Sequence, residues 1–136
     1  MQELVIIAGS ESDRDFVEPA LKLAESMNIK TEFKIYSAHR NLEDLLAYLE
    51  EIEKNDQTKI IIAVAGLAAA LPGVIAAKVK IPVIGVPRDV GPLNGIDALL
   101  SIAQMPKGVP VATMAIGSAG MSNAVHFAAR ILKLFK

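Results

Sequence analysis

The stretch Leu4-Val5-Ile6-Ile7-Ala8-Gly9-Ser10-Glu11-Ser12-Asp13 decides the fold. Its first half is apolar without interruption, and its second half is glycine followed by small polar and acidic residues. An unbroken apolar run marks a strand covered on both faces, the situation of a parallel sheet between two layers of helices. Phe16, Val17, Ala20, Leu21, Ala24 and Met27 then recur at helical spacing, so the opening reads strand, turn, helix.

The same alternation continues outward from this stretch. In Thr31–Ser37 the apolar Phe33 and Ile35 alternate with Glu32 and Lys34, which predicts a half-exposed strand at a sheet edge. Leu42, Leu45, Leu46, Leu49 and Ile52 form the next helical stripe. Ile60–Val64 is a second buried strand, Ala68–Val79 a helix of small residues, and Val83–Val86 a fourth strand in chain order. A helix is expected over Asn94–Ala103, a fifth strand over Val111–Ile116 and a closing helix over Gly120–Lys136. No linker, repeat or low-complexity segment interrupts the series. Residues 1–136 therefore read as a single α/β domain, a parallel sheet with helices on both faces. An edge position for the second strand suits the order 2-1-3-4-5.

Composition excludes several classes of function. The 14 Lys and Arg nearly balance the 15 Asp and Glu, which argues against nucleic-acid or anionic-membrane binding. With no cysteine there are no disulfides, thiolate metal sites or cysteine nucleophiles, and two histidines do not point to a metal centre. Apolar residues make up 52% and the mean hydropathy is +0.40, high for a lone small domain. Ile60–Ala77 is uncharged and near bilayer-spanning length, but Gly66, Pro72 and Gly73 break it. The first residues carry no basic segment ahead of an apolar core. A cytoplasmic protein is expected, its surplus apolar surface directed to a subunit interface.

Ligands of open parallel sheets lie beyond the carboxyl ends of the strands, where the winding direction switches. With the order 2-1-3-4-5 that crevice is lined by Gly9–Asp13, Ser37–Arg40 and Ala65–Gly73. In the first loop Ser10 and Ser12 offer hydroxyls to an anion, while Asp13 is able to accept from a ribose hydroxyl. The same segment also serves as a helix cap, with Ser12 and Asp15 as a capping box. It is neither a dinucleotide fingerprint nor a P-loop.

In the second loop, Asn41 with Asp44 reads as a helix cap, so Arg40 stands at the positive end of a helix. A cation is disfavoured there by about 0.3–1 kcal/mol, a sign that a bound phosphate reverses and that a carboxylate neighbour also relieves. An imidazole ordinarily titrates near pH 6.5, which suits His39 to proton transfer as well as to a structural role. His126 reads as packing or surface. Ala65, Gly66, Leu67 and Ala70 bring no reactive side chain; they suit close backbone approach to a flat ligand, or simply tight packing. Ala65-Gly66 lacks the aspartate of a response-regulator receiver, and a flavodoxin-type flavin site, the remaining alternative, lacks aromatic partners in these loops.

Four segments together resemble a known family. They are Gly9-Ser10-Glu11-Ser12-Asp13, Ser37-Ala38-His39-Arg40, Ala68 to Gly73, and Ser101 to Thr113 with its Gln104-Met105-Pro106-Lys107-Gly108 centre. In this order and spacing they are similar to the aminoimidazole ribonucleotide carboxylases and carboxyaminoimidazole ribonucleotide mutases of purine biosynthesis. The resemblance implies a flavodoxin-like fold and a homo-octamer with sites at subunit boundaries. It implies that Ser10, Asp13 and Arg40 hold the ribose 5-phosphate part of the substrate, with Ser12 and Ser37 nearby. It further implies that His39 handles the proton on ring carbon 4, with no metal, ATP or biotin required.

The family has two branches. The mutases move a carboxylate from the exocyclic nitrogen, and their third loop typically reads Ala-Ala-His-Leu-Pro-Gly; the histidine position here is Ala70. They also usually follow the first-loop aspartate with tryptophan, where this chain has Arg14. Both departures favour the direct carboxylase, which takes free carbon dioxide, over the mutase. In the closing helix Met121, Ala124, Val125, Ala128, Leu132 and Phe135 mark one apolar stripe, and Phe127, Ile131 and Leu134 another. One stripe is expected to pack on the sheet and the other on a neighbouring subunit.

Overall fold

A computed structural model describes residues 2–136. Five parallel strands, β1 (Leu4–Ala8), β2 (Thr31–Ile35), β3 (Ile60–Ala65), β4 (Val83–Pro87) and β5 (Ala112–Thr113), form one sheet in the order 2-1-3-4-5. Leu4 pairs with Thr31 on one side and Ile60 on the other, so β1 is an interior strand. Every residue of β1, β3 and β4 is buried, whereas β2 is half-buried throughout, as its alternation requires.

Helices α1 (Arg14–Ser26) and α5 (Ser118–Lys133) cover one face, where Leu4, Ile6, Ile62 and Val64 meet Val17, Ala24, Ala124 and Val125. On the other face α2 (Leu42–Asn55), α3 (Leu71–Lys78) and α4 (Ile96–Ala103) pack Leu45, Leu49, Ile75 and Ile102 onto Val5, Ile7 and Ile61. Alternate residues of each buried strand thus feed two separate cores. This three-layer arrangement is the one the apolar runs predict.

Most element ends fall within two residues of the sequence pattern, and the larger differences have local reasons. Helix α3 begins at Leu71 rather than Ala68, because Pro72 favours a helix's first turn and leaves the alanines in the preceding loop. Helix α4 begins at Ile96, since Asn94 (φ 52°) and Gly95 (φ 93°) are left-handed. Strand β5 is confined to Ala112–Thr113: it follows Pro110, pairs on one side only, and soon turns into α5 at Gly117 (φ 86°). The closing helix runs over Ser118–Lys133, so Phe135, expected in the buried stripe, lies past its end and is exposed.

Candidate functional site

The carboxyl ends of β1, β2 and β3 open onto a cleft of about 490 Å³. Its walls include Ser10, Ser12, Asp13, Ser37, His39, Arg40, Ala65, Gly66, Leu67 and Ala70, so every predicted site residue is brought there, with Val90 added from beyond β4. No aromatic side chain lines it, which removes the stacking partners a flavin would need.

The first loop is shaped by Ser10 and Asp13. A short 3-10 turn, Glu11–Asp13, precedes α1 and takes a capping box of its own. The Ser10 N–H donates to Asp13 Oδ2 at 3.1 Å, and the Ser12 N–H donates to Ser10 Oγ at 3.2 Å. The box is therefore Ser10/Asp13, two residues earlier than the expected Ser12/Asp15, because the chain enters α1 through this 3-10 turn. The Ser10 and Ser12 hydroxyls lie 2.9 Å apart.

Asp13 is only 6% exposed, and its Oδ1 accepts from Arg88 Nη1 at 2.9 Å. Arg88, directly after β4, is the residue that sequence reasoning missed; its sole signal was a charge at the end of a buried strand. Its guanidinium also lies over the Phe16 ring, 4.6 Å from the centroid. Arg14 behaves differently. It donates to Glu11 at 2.9 and 3.1 Å and lies 5.2 Å from the Phe33 ring centroid. The hydrogen bond lowers the Glu11 pKa and raises that of Arg14. Arg14 does not line the cleft.

In the second loop Ser37 organises the backbone. Its Oγ accepts from the N–H groups of His39 at 3.2 Å and Arg40 at 3.1 Å. Asn41 occupies the N-cap of α2, but its side chain makes no cap bond; Oδ1 accepts from the Ser37 N–H at 2.8 Å instead. His39 and Arg40 are exposed, and the Arg40 guanidinium forms no ion pair among the described residues. Behind the loop, Tyr36 packs against Tyr48 with centroids 5.4 Å apart, and the Tyr48 hydroxyl donates to Glu32. Burial, followed by the Glu32 carboxylate, pushes the Tyr48 phenol well above its ordinary pKa.

The third loop supplies shape. A Cβ on Gly66 would come within 2.4 Å of Val90 Cγ2 and 3.3 Å of Arg88 Cβ, so glycine lets the segment after β4 close over it. Leu67 is held at φ 57°, a conformation that branched side chains rarely adopt and that clusters at functional sites. Ala70 lines the cleft and precedes α3. No group of three or more His, Cys, Asp or Glu suited to a metal occurs among the described residues, and no described helix is long and apolar enough to cross a membrane. The cleft thus presents one imidazole, one unpaired guanidinium and three hydroxyls against a wall of small residues: the means to bind an anion and move a proton.

Comparison with known proteins identifies the family. Residues 3–136 match the family model described as AIR carboxylase. The N5-carboxyaminoimidazole ribonucleotide mutase of Bacillus subtilis is 50% identical over 136 residues, covering 99% of this chain and 83% of the relative. That of Haemophilus influenzae is 45% identical over 130 residues, covering 96% and 79%. The crystal structure of Treponema denticola PurE superposes with a TM-score of 0.88 at 31% identity, covering 98% of this chain and 81% of that one. The direct-carboxylase branch expected from Arg14 and Ala70 is not the one named for the Bacillus and Haemophilus relatives. Matched along nearly its whole length, the chain belongs to the AIR carboxylase family.

Proposed function

We propose that the chain is a carboxyaminoimidazole ribonucleotide mutase, which moves a carboxylate from the exocyclic nitrogen of its substrate to ring carbon 4. The observation that carries this reading is the 45% and 50% identity to proteins named for that reaction. The cleft supports it with a titratable group beside an anion site. Residues 1–136 act as one catalytic domain, in the cytoplasm, within a homo-oligomer for which an octamer is expected.

The substrate is an N-carboxylated enamine. Cleavage of its N–CO₂ bond releases carbon dioxide and leaves the amine to take up a proton. The nucleophilic ring carbon then attacks carbon dioxide and becomes sp³, bearing both hydrogen and carboxylate. Transfer of that hydrogen to His39 as a proton restores aromaticity. One proton is gained at nitrogen and one lost at carbon, so the reaction is an isomerisation that requires no ATP.

The protein's work is positioning, exclusion of water and proton transfer. Arg40, Ser10 and Ser12 hold the 5-phosphate, and Ser37 fixes the backbone that carries His39 and Arg40. Asp13, expected to grip the ribose phosphate portion, spends a lone pair of each oxygen on Ser10 and Arg88 and acts by shaping the loop. Ala65, Gly66, Leu67 and Ala70 bring the chain against the flat ring.

A second reading, direct carboxylation of aminoimidazole ribonucleotide by free carbon dioxide, is favoured by Ala70, which lines the cleft where the mutases typically carry histidine. The two are separated by giving purified protein either the N-carboxylated isomer or aminoimidazole ribonucleotide with bicarbonate, without ATP. Conversion of the isomer is expected. Conversion of only the uncarboxylated compound would replace the mutase by the carboxylase, and conversion of neither would sink both.

A further inference from the structure

The Arg88–Asp13 pair is the most buried ion pair in the described part of the molecule, with side chains 19% and 9% exposed. It joins the end of β4 to the first loop, 75 positions apart in sequence. Arg88 is held from three directions. Its backbone N–H donates to Ala65 O at 3.0 Å, its Cβ lies against Gly66, and its guanidinium covers Phe16. Its Nε is buried with no acceptor. Asp13 divides its two oxygens, Oδ1 accepting from Arg88 and Oδ2 from the Ser10 N–H. The guanidinium is thus placed to serve one carboxylate oxygen, at the cost of its own Nε.

That arrangement has an electrostatic consequence for the cleft. Asp13 is needed as an acceptor to close the turn on which Ser10 and Ser12 stand, yet a buried carboxylate beside an anion site opposes the ligand. A buried charge without a partner is costly, and a nearby like charge adds to that cost. Arg88 removes both penalties without bonding to either hydroxyl.

We propose that Arg88 is a positioning residue of the phosphate-ester site, which neutralises and holds Asp13 so that the Ser10–Asp13 turn can accept a phosphate. The inference rests on reading the cleft as a phosphate-ester site. It predicts that the charge on Asp13, rather than the bulk of Arg88, is what matters. Asparagine at position 13 keeps an oxygen for the Ser10 N–H but carries no charge.

The test uses Arg88→Met, the double variant Arg88→Met/Asp13→Asn, and ribose 5-phosphate as the titrated probe. Arg88→Met is expected to weaken ribose 5-phosphate binding and raise the substrate KM by about tenfold or more, with kcat within about threefold of the parent. Adding Asp13→Asn should recover most of that loss. Unchanged binding in Arg88→Met overturns the proposal. So does a folded double variant that binds as weakly as the single one, since packing rather than charge would then be at stake. If Arg88→Met does not fold, the double variant decides alone. Near-parental affinity supports the proposal, and weak binding or an unfolded chain overturns it. Failure of the parent protein to bind ribose 5-phosphate counts against the phosphate-ester reading instead. The charge coupling is then read from thermal melting, where Asp13→Asn should still rescue Arg88→Met and the absence of rescue overturns it.

Discussion

Ser37 and Asn41 clasp each other across the second loop: the Ser37 N–H donates to Asn41 Oδ1 at 2.8 Å, and the Asn41 N–H donates to Ser37 O at 3.0 Å. Between these two bonds the chain turns and presents His39 and Arg40. Asn41→Ala deletes one of them and leaves the Ser37 N–H to water. The bond is exposed, so a stability loss of about 0.5–1.5 kcal/mol is expected. Catalysis should suffer more than stability, through a raised KM. Thermal melting and steady-state kinetics check both, and an unchanged KM would show that the clasp does not set the site.

His39 and Arg40 are neighbours with separable tasks. His39→Asn should lower turnover by about 10²–10⁴-fold, the usual worth of a positioned proton carrier, while ribose 5-phosphate binding persists. Surviving turnover would remove His39 as the proton carrier. Arg40→Ala should instead raise the KM, and an unaltered value would take Arg40 out of the phosphate site.

Tyr48 supplies a pH test of the packing behind that loop. Its folded-state pKa is raised by burial and by Glu32, so the folded protein retains a proton that the unfolded chain releases above about pH 10. Its contribution is full below that pH and shrinks above it, by at most about 1.4 kcal/mol per pH unit. Denaturant melts at pH 9 to 11, on the approximate tyrosine scale, should show a shallower alkaline decline for Tyr48→Phe than for the parent. Parallel declines would mean that the phenol ionises freely.

Leu67, Leu93, Ile96 and Leu100 are each at least half exposed, and Leu67 belongs to the cleft wall. Apolar surface of this kind on a chain of high mean hydropathy is expected to be covered by further copies. Light scattering at micromolar concentration should give a large oligomer, and replacing Ile96 and Leu100 by aspartate should break it down. A monomeric parent protein would refute the assembly.

The amino-acid sequence by itself determined the three layers. The apolar runs of β1 and β3, the alternation of β2 and the helical stripes of α1, α2 and α5 are local periodicities, and burial on one or both faces follows directly from them. The strand order then brings Gly9–Asp13, Ser37–Arg40 and Ala65–Ala70 to one edge, so the composition of the cleft was legible as well. What each residue does inside it was not. Tertiary structure alone decided that the capping box belongs to Ser10 and Asp13, that Asn41 clasps Ser37, and that Arg14 turns away to Glu11. It alone brought Arg88 to Asp13. Hydrophobic pattern reports which face of an element is buried, but a polar side chain finds its partner by position in space, and no periodicity along the chain encodes a pairing across three strands.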